Sequence, residues 1–104
     1  MILNSKILGD SDESLIILHG LFGSLDNWYS IAKELSLSFQ VHIIDQRNHG
    51  KSFHDNNHNY DLMSYDLYNY IQYHEIKNPI ILGHSMGGKT AMAFSFHYPN
   101  SLKK

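Results

Sequence analysis

An α/β fold, three layers deep with a mostly parallel sheet, follows from three features of this 104-residue chain. Short apolar runs without polar alternation recur at Leu15 to Leu18, Val41 to Ile44 and Ile80 to Leu82, as strands covered on both faces require. Longer segments with helical spacing stand between and after them. The alternation of strand and helix demands right-handed crossovers that place helices on both sides of the sheet.

Taken in order, Ile2 to Leu8 is a weaker strand suited to an edge. Behind the Leu15 to Leu18 strand, Asp26 is a candidate N-cap for a helix that places Trp28, Ile31, Ala32 and Leu35 on one face. After the Val41 to Ile44 strand, Phe53 to Tyr60 is rich in Asn and His, has no period and reads as a loop. Asp61 then leads a second helix with Met63, Leu67, Tyr70, Ile71 and His74 on one face, and Asn78-Pro79 stops it. The Ile80 to Leu82 strand leads into a third helix from about Met86 to Tyr98, packed by Ala91, Ala93, Phe94 and Phe96 and closed by Pro99. No repeat, linker or second domain is visible.

Composition narrows the function. The chain is 42% hydrophobic and 17% charged, as a globular domain is, and its net charge is −2 with eight scattered Lys and Arg. That leaves no electrostatic footprint for nucleic acid or an anionic membrane, so a small molecule is the expected partner. The absence of cysteine excludes disulfides and thiolate chemistry. No leader peptide or long apolar span is recognisable, which makes the cytoplasm the default location.

The chemistry concentrates at Gly83-His84-Ser85-Met86-Gly87-Gly88. A bare G-x-S-x-G is often no more than a connector. This one follows a strand and opens a helix, the context in which such a turn throws a serine hydroxyl out at the carboxyl end of a sheet. The glycines two positions before and after Ser85 are needed because the backbone passes close there. Ser85 is therefore the candidate nucleophile, and the unpaired amides of the following helix favour developing negative charge.

Leu18-His19-Gly20-Leu21-Phe22-Gly23-Ser24 makes a second glycine-bearing turn, immediately after the first apolar strand. If that strand lies between the other two, this loop and the Ser85 turn flank one crevice at a topological switch point. The backbone amides of Leu21 and Met86 are then candidates to hold one oxyanion. Phe22 is an alternative donor position and, with His84, a candidate substrate contact. The His84 side chain is expected to point away from Ser85 and pack locally, and His19 to brace its loop. Asp45-Gln46-Arg47-Asn48-His49-Gly50 reads as a loop tied by side-chain to backbone bonds, with no catalytic role for Asp45 or His49. His54, His58, Asp55 and Asp61 crowd together in sequence, yet a loop of Asn residues offers no preformed metal shell, so no metal or other cofactor is expected.

These segments carry a resemblance. Leu18 to Trp28 (LHGLFGSLDNW), Asp45 to Ser52 (DQRNHGKS) and Leu82 to Lys89 (LGHSMGGK) resemble, in order and spacing, the hallmark segments of the α/β-hydrolase superfamily, most closely its YbfF-like acyl esterases. The resemblance covers nearly the whole chain and implies the N-terminal half of the hydrolase fold over residues 1–104. It further implies Ser85 as nucleophile, Leu21 and Met86 as oxyanion donors, a carboxylic ester or thioester as substrate, and no cofactor. In that family the triad acid and histidine follow the serine in sequence. After Ser85 this chain has no Asp or Glu, and its one histidine there is His97. The expectation is a partial core domain lacking later strands and cap, inactive alone, weakly stable and open along the edge of its last strand. The alternatives are a non-catalytic module that needs a partner chain and, within the same superfamily, a C–C bond hydrolase or a cofactor-free haloperoxidase.

Overall fold

The computed structural model describes residues 1–103. Its four strands are β1 (Ser5–Leu8), β2 (Ser14–Leu18), β3 (Gln40–Ile44) and β4 (Ile80–Gly83), ordered β1-β3-β2-β4. β2 is parallel to both β3 and β4, with Ile16 beside His42 and Ile81, while β1 runs antiparallel to β3. The first apolar run thus lies between the other two, the arrangement the crevice requires. The helices are α1 (Tyr29–Leu35), α2 (Tyr60–Tyr73) and α3 (Met86–His97), and a 3-10 turn over Leu25–Trp28 precedes α1.

Strand periodicity divides the core into two. Ile16, Leu18 and Ile44 face α2 and α3, packing with Leu3, Leu67, Tyr70, Ile71 and Phe94. Their neighbours Leu15, Ile17, Val41 and Ile43 face the other way, onto Leu25 and Ala32. Each such aliphatic side chain contributes about 2 kcal/mol by leaving water. This double burial is why β2 and β3 read as unbroken apolar runs.

Several details depart from the sequence reading. β4 is a sheet edge, as expected for the last strand, but it is not covered on both faces as its apolar run suggested, and Leu82 is 37% exposed. The N-cap of the first helical turn is Ser24, whose N–H is taken by the Asn27 side chain at 2.9 Å, and Asp26 lies inside that turn. Ile31 is half exposed, because α1 packs against the sheet mainly at β3, away from the β4 edge. α2 is capped by Asn59, whose side chain accepts the Leu62 N–H at 2.8 Å, instead of by Asp61. Phe96, expected to pack, points into solvent from α3. β1 is shorter than the Ile2 to Leu8 run, with Leu3 leaving the strand to join the core. No helix among the described residues is long and apolar enough to cross a membrane.

Candidate active site

The turn from β4 to α3 is built by close backbone contact. Ser85 has φ 55° and ψ −112°, a strained conformation for a residue with a side chain, costing on the order of 1–3 kcal/mol. It is held by His84 N–H on the Leu18 carbonyl (3.0 Å), Gly87 N–H on the His84 carbonyl (2.9 Å) and Lys89 N–H on the Ser85 carbonyl (3.1 Å). A methyl group on Gly83 would lie 2.3 Å from the Gly87 oxygen, and one on Gly87 would lie 2.2 Å from the Leu18 oxygen. The glycines at these two positions are therefore required by space, as the spacing implied. At Gly88 the nearest atom would be 3.4 Å away, so this glycine is not. Ser85 is exposed, and the Met86 amide is the first of α3.

The second loop abuts this turn at Gly20, where a Cβ would come 3.4 Å from the Ser85 Cβ and 3.1 Å from His84 Nδ1. Gly23 N–H bonds the Gly20 carbonyl at 3.0 Å, closing a four-residue turn. Phe22 has φ 63° while Leu21 has an ordinary negative φ, the pattern of a type II turn. Buried His19 donates Nδ1–H to the Gly20 carbonyl (2.8 Å), and its Nε2 accepts the Gln46 N–H (3.0 Å). Burial pushes the His19 pKa down, keeping the ring neutral, and that single tautomer satisfies both bonds. The Gly20 carbonyl is thus gripped from two sides. In a planar trans peptide the N–H of Leu21 must point the opposite way. Among the described residues the amides of Leu21 and Met86 donate to no protein acceptor. The Phe22 amide, the alternative donor position, is engaged by His49 Nε2 at 3.1 Å.

Two hollows meet at this loop. One of about 250 Å³ is lined by Gly20, Leu21, Gly23, Asn27, Trp28, Ile31 and His84. The His84 ring lies 5.8 Å from the Trp28 ring, so it packs locally as expected. The other, about 430 Å³, is lined by Leu21, Phe22, Gly23, Asn48, His49, Gly50 and His58. Phe22 lines the second hollow only and is 91% exposed.

Asp45 braces the site from beneath, as its loop composition suggested. Its carboxylate accepts the amides of Leu25 (2.8 Å) and Lys51 (3.0 Å) and the Asn4 side chain (2.9 Å). Buried Arg47 forms a two-pronged pair with Asp66 at 2.6 and 2.9 Å and donates to the Asn57 carbonyl at 2.8 Å. Its pKa is raised first of all by the hydrogen bonds it donates to Asp66. Sequence reasoning missed Asp66, although a carboxylate three residues after Met63 and one before Leu67, on the apolar face of α2, was a signal of an inward charge. The Asn and His loop is tied to its surroundings: Asn48 Nδ2 meets His58 Nδ1 at 3.1 Å, and Asp55 accepts the Asn57 N–H at 2.8 Å. Among the described residues no three His, Asp or Glu side chains form a metal-binding group.

An exposed serine on a glycine-walled strand-to-helix turn, beside a loop with a free amide, defines an α/β hydrolase. Residues 13–104 match the model of the α/β hydrolase fold family, and the chain belongs to that family. It is 44% identical over 90 residues to a putative esterase/lipase of Haemophilus influenzae, covering 86% of this chain and 31% of that protein. It is 48% identical over 90 residues to a probable alcohol acetyltransferase of Saccharomyces cerevisiae, covering 82% of this chain and 26% of that one. The resemblance to YbfF-like esterases is met by esterase YbfF of Escherichia coli, 39% identical over 85 residues, covering 82% of this chain and 34% of that protein. A solved marine microorganism esterase superposes with a TM-score of 0.97 at 51% identity, covering 99% of this chain and 40% of that one. The chain thus spans about a third of the length of the curated relatives it matches. Relatives named as esterases support ester hydrolysis by this family at a general level.

Proposed function

We propose that this chain is the nucleophile and oxyanion part of a serine esterase that transfers the acyl group of a carboxylic ester or thioester through Ser85. The observation that supports it most is the left-handed, exposed Ser85 packed against Gly20 of the second loop. In this reading Ser85 Oγ attacks the carbonyl carbon, and the amides of Leu21 and Met86 hold the resulting oxyanion. Each such donor contributes on the order of 3 kcal/mol to lowering the barrier. The leaving alcohol or thiol departs, and water then frees the acid.

The base that takes the Ser85 proton is not among these residues. His97 lies twelve residues along α3, about 18 Å at 1.5 Å per residue, and bonds Asp61 at 2.9 Å. Both ring nitrogens of His19 and of His49 are engaged, and His84 packs against Trp28. A histidine and an acid outside the 104 residues complete the triad, so the chain alone turns over p-nitrophenyl esters near background, with only the residual effect of binding and oxyanion stabilisation.

A fluorophosphonate probe tests this. Labelling of the full-length gene product that vanishes in Ser85→Ala supports the reading, and a well-folded full-length protein that takes no label sinks it. The likeness to an alcohol acetyltransferase favours a second reading, in which an alcohol in place of water resolves the same acyl-enzyme. Ester formation on adding ethanol, at the expense of free acid, identifies that outcome.

A further inference from the structure

We propose that His49 is a positioning residue for the oxyanion loop: its Nε2 lone pair, occupied by the Phe22 N–H, holds the Leu21–Phe22 peptide in the orientation that the Leu21 amide needs. This rests on the reading of that amide as an oxyanion donor. Three observations carry it. Phe22 occupies the third position of a type II turn, where φ is positive and glycine or asparagine is favoured, so its 63° persists only because something outside the turn holds it. The one side chain that holds it is His49, at 3.1 Å from the Phe22 nitrogen. His49 is itself fixed to accept there. Its Nδ1–H donates to the Arg47 carbonyl at 2.9 Å, which leaves Nε2 bare. Its backbone is pinned by His49 N–H on the Gln46 carbonyl (3.1 Å) and Ser52 N–H on the His49 carbonyl (3.1 Å).

The geometry gives each peptide flanking Leu21 its own histidine. His19 grips the carbonyl of the Gly20–Leu21 peptide, and His49 grips the N–H of the Leu21–Phe22 peptide. Types I and II of a turn differ by a flip of the central peptide, which is the one His49 holds. Without His49 the turn relaxes to type I, Phe22 leaves the left-handed region, and the peptide dipole next to the Leu21 amide reverses. His49 touches no reacting atom in this account. It acts through the backbone of Phe22.

The test uses the full-length gene product with His49→Phe, which keeps a ring and removes the acceptor, and His49→Gln, whose amide oxygen can accept. Amide exchange at Phe22 and the kcat and KM for p-nitrophenyl butyrate are read together. The expected result in His49→Phe is faster exchange at Phe22 and a kcat lowered roughly tenfold, the worth of one hydrogen bond, with KM little changed. His49→Gln restores both in part. Unchanged Phe22 exchange in His49→Phe overturns the proposal, as does faster exchange with undiminished kcat. A Gln variant as slow as the Phe variant also overturns it, since only bulk at the site would then matter. Esterolysis that survives Ser85→Ala would instead defeat the functional reading, a separate measurement from exchange at Phe22.

Discussion

Replacing Gly87 by alanine isolates the close approach that builds the serine turn, and Gly88 next to it supplies the control. Both glycines lie in the first turn of α3. In an open helical site, Gly→Ala gains about 1 kcal/mol from helix propensity. At Gly88 the new methyl meets nothing nearer than 3.4 Å, so Gly88→Ala should stabilise by up to about 1 kcal/mol. At Gly87 the methyl would lie 2.2 Å from the Leu18 oxygen and 2.7 Å from the His19 oxygen, backbone atoms at the carboxyl end of the inner strand β2 that cannot swing aside. Overpacking costs typically 1–3 kcal/mol, and contact with fixed backbone belongs at the upper end, which leaves Gly87→Ala destabilised by about 1–2 kcal/mol after the propensity gain. The two variants, identical in composition, should therefore differ by about 2–3 kcal/mol, or roughly 4–12 °C in Tm for a domain of more than about 150 residues. Thermal and urea unfolding of the full-length gene product, followed by circular dichroism, measures the gap. If Gly87→Ala melts with or above Gly88→Ala, the steric account of the turn is wrong.

Asp66→Asn leaves Arg47 buried without its counter-charge and should cost about 3–5 kcal/mol in urea unfolding, whereas Asp26→Asn, in an exposed pair with Lys6, should stay within about 1 kcal/mol. Ser85→Gly relieves the positive φ and should raise Tm while abolishing probe labelling, and Ser85→Ala should abolish labelling without that gain; an unchanged Tm in the glycine variant would show that the turn stores no strain. Burial on β3 lowers the His42 pKa to about 4. The folded state thus binds fewer protons than the unfolded state between about pH 6.5 and 4, and the stability contributed by neutral His42 is present above 6.5 and lost as pH falls through that window. The loss is at most about 3 kcal/mol, His19 and His74 add to it in the same direction, and His42→Gln should flatten the urea midpoint against pH. An equally steep profile in that variant would reject the assignment to His42.

What was legible in the sequence and what was not separate along physical lines. The strands and the serine turn were legible because each leaves a local signature: strands buried on both faces run apolar without a break, and a turn with no room for side chains demands glycine at fixed offsets, whereas the order of the strands entered only as a condition for the crevice. The Ser24 and Asn59 caps were misread as Asp26 and Asp61 because Ser, Asn and Asp all cap well, and the choice depends on where the backbone first turns helical. Asp66 was missed because a carboxylate on an amphipathic helix reads as solvated until its partner, nineteen positions earlier, is brought across the fold. Ile31 and Phe96 were expected inside because periodicity says which face of a helix is apolar, and the extent of what covers that face lies beyond it. The bond from Phe22 to His49 joins two loops after different strands, so no spacing in the chain encodes it.

One backbone atom carries more than its share of this arrangement. The Leu18 carbonyl receives the His84 N–H from one side and confronts Gly87 from the other, and it lies two residues before Gly20. The strand that launches the second loop is therefore the gauge against which the serine turn is set. The contact between the end of β2 and the serine turn is made by backbone atoms alone, the Leu18 carbonyl with His84 and Gly87. Substitutions across α1 or the Asn and His loop can therefore reshape the hollows beside Leu21 while the serine turn keeps its place against the end of β2.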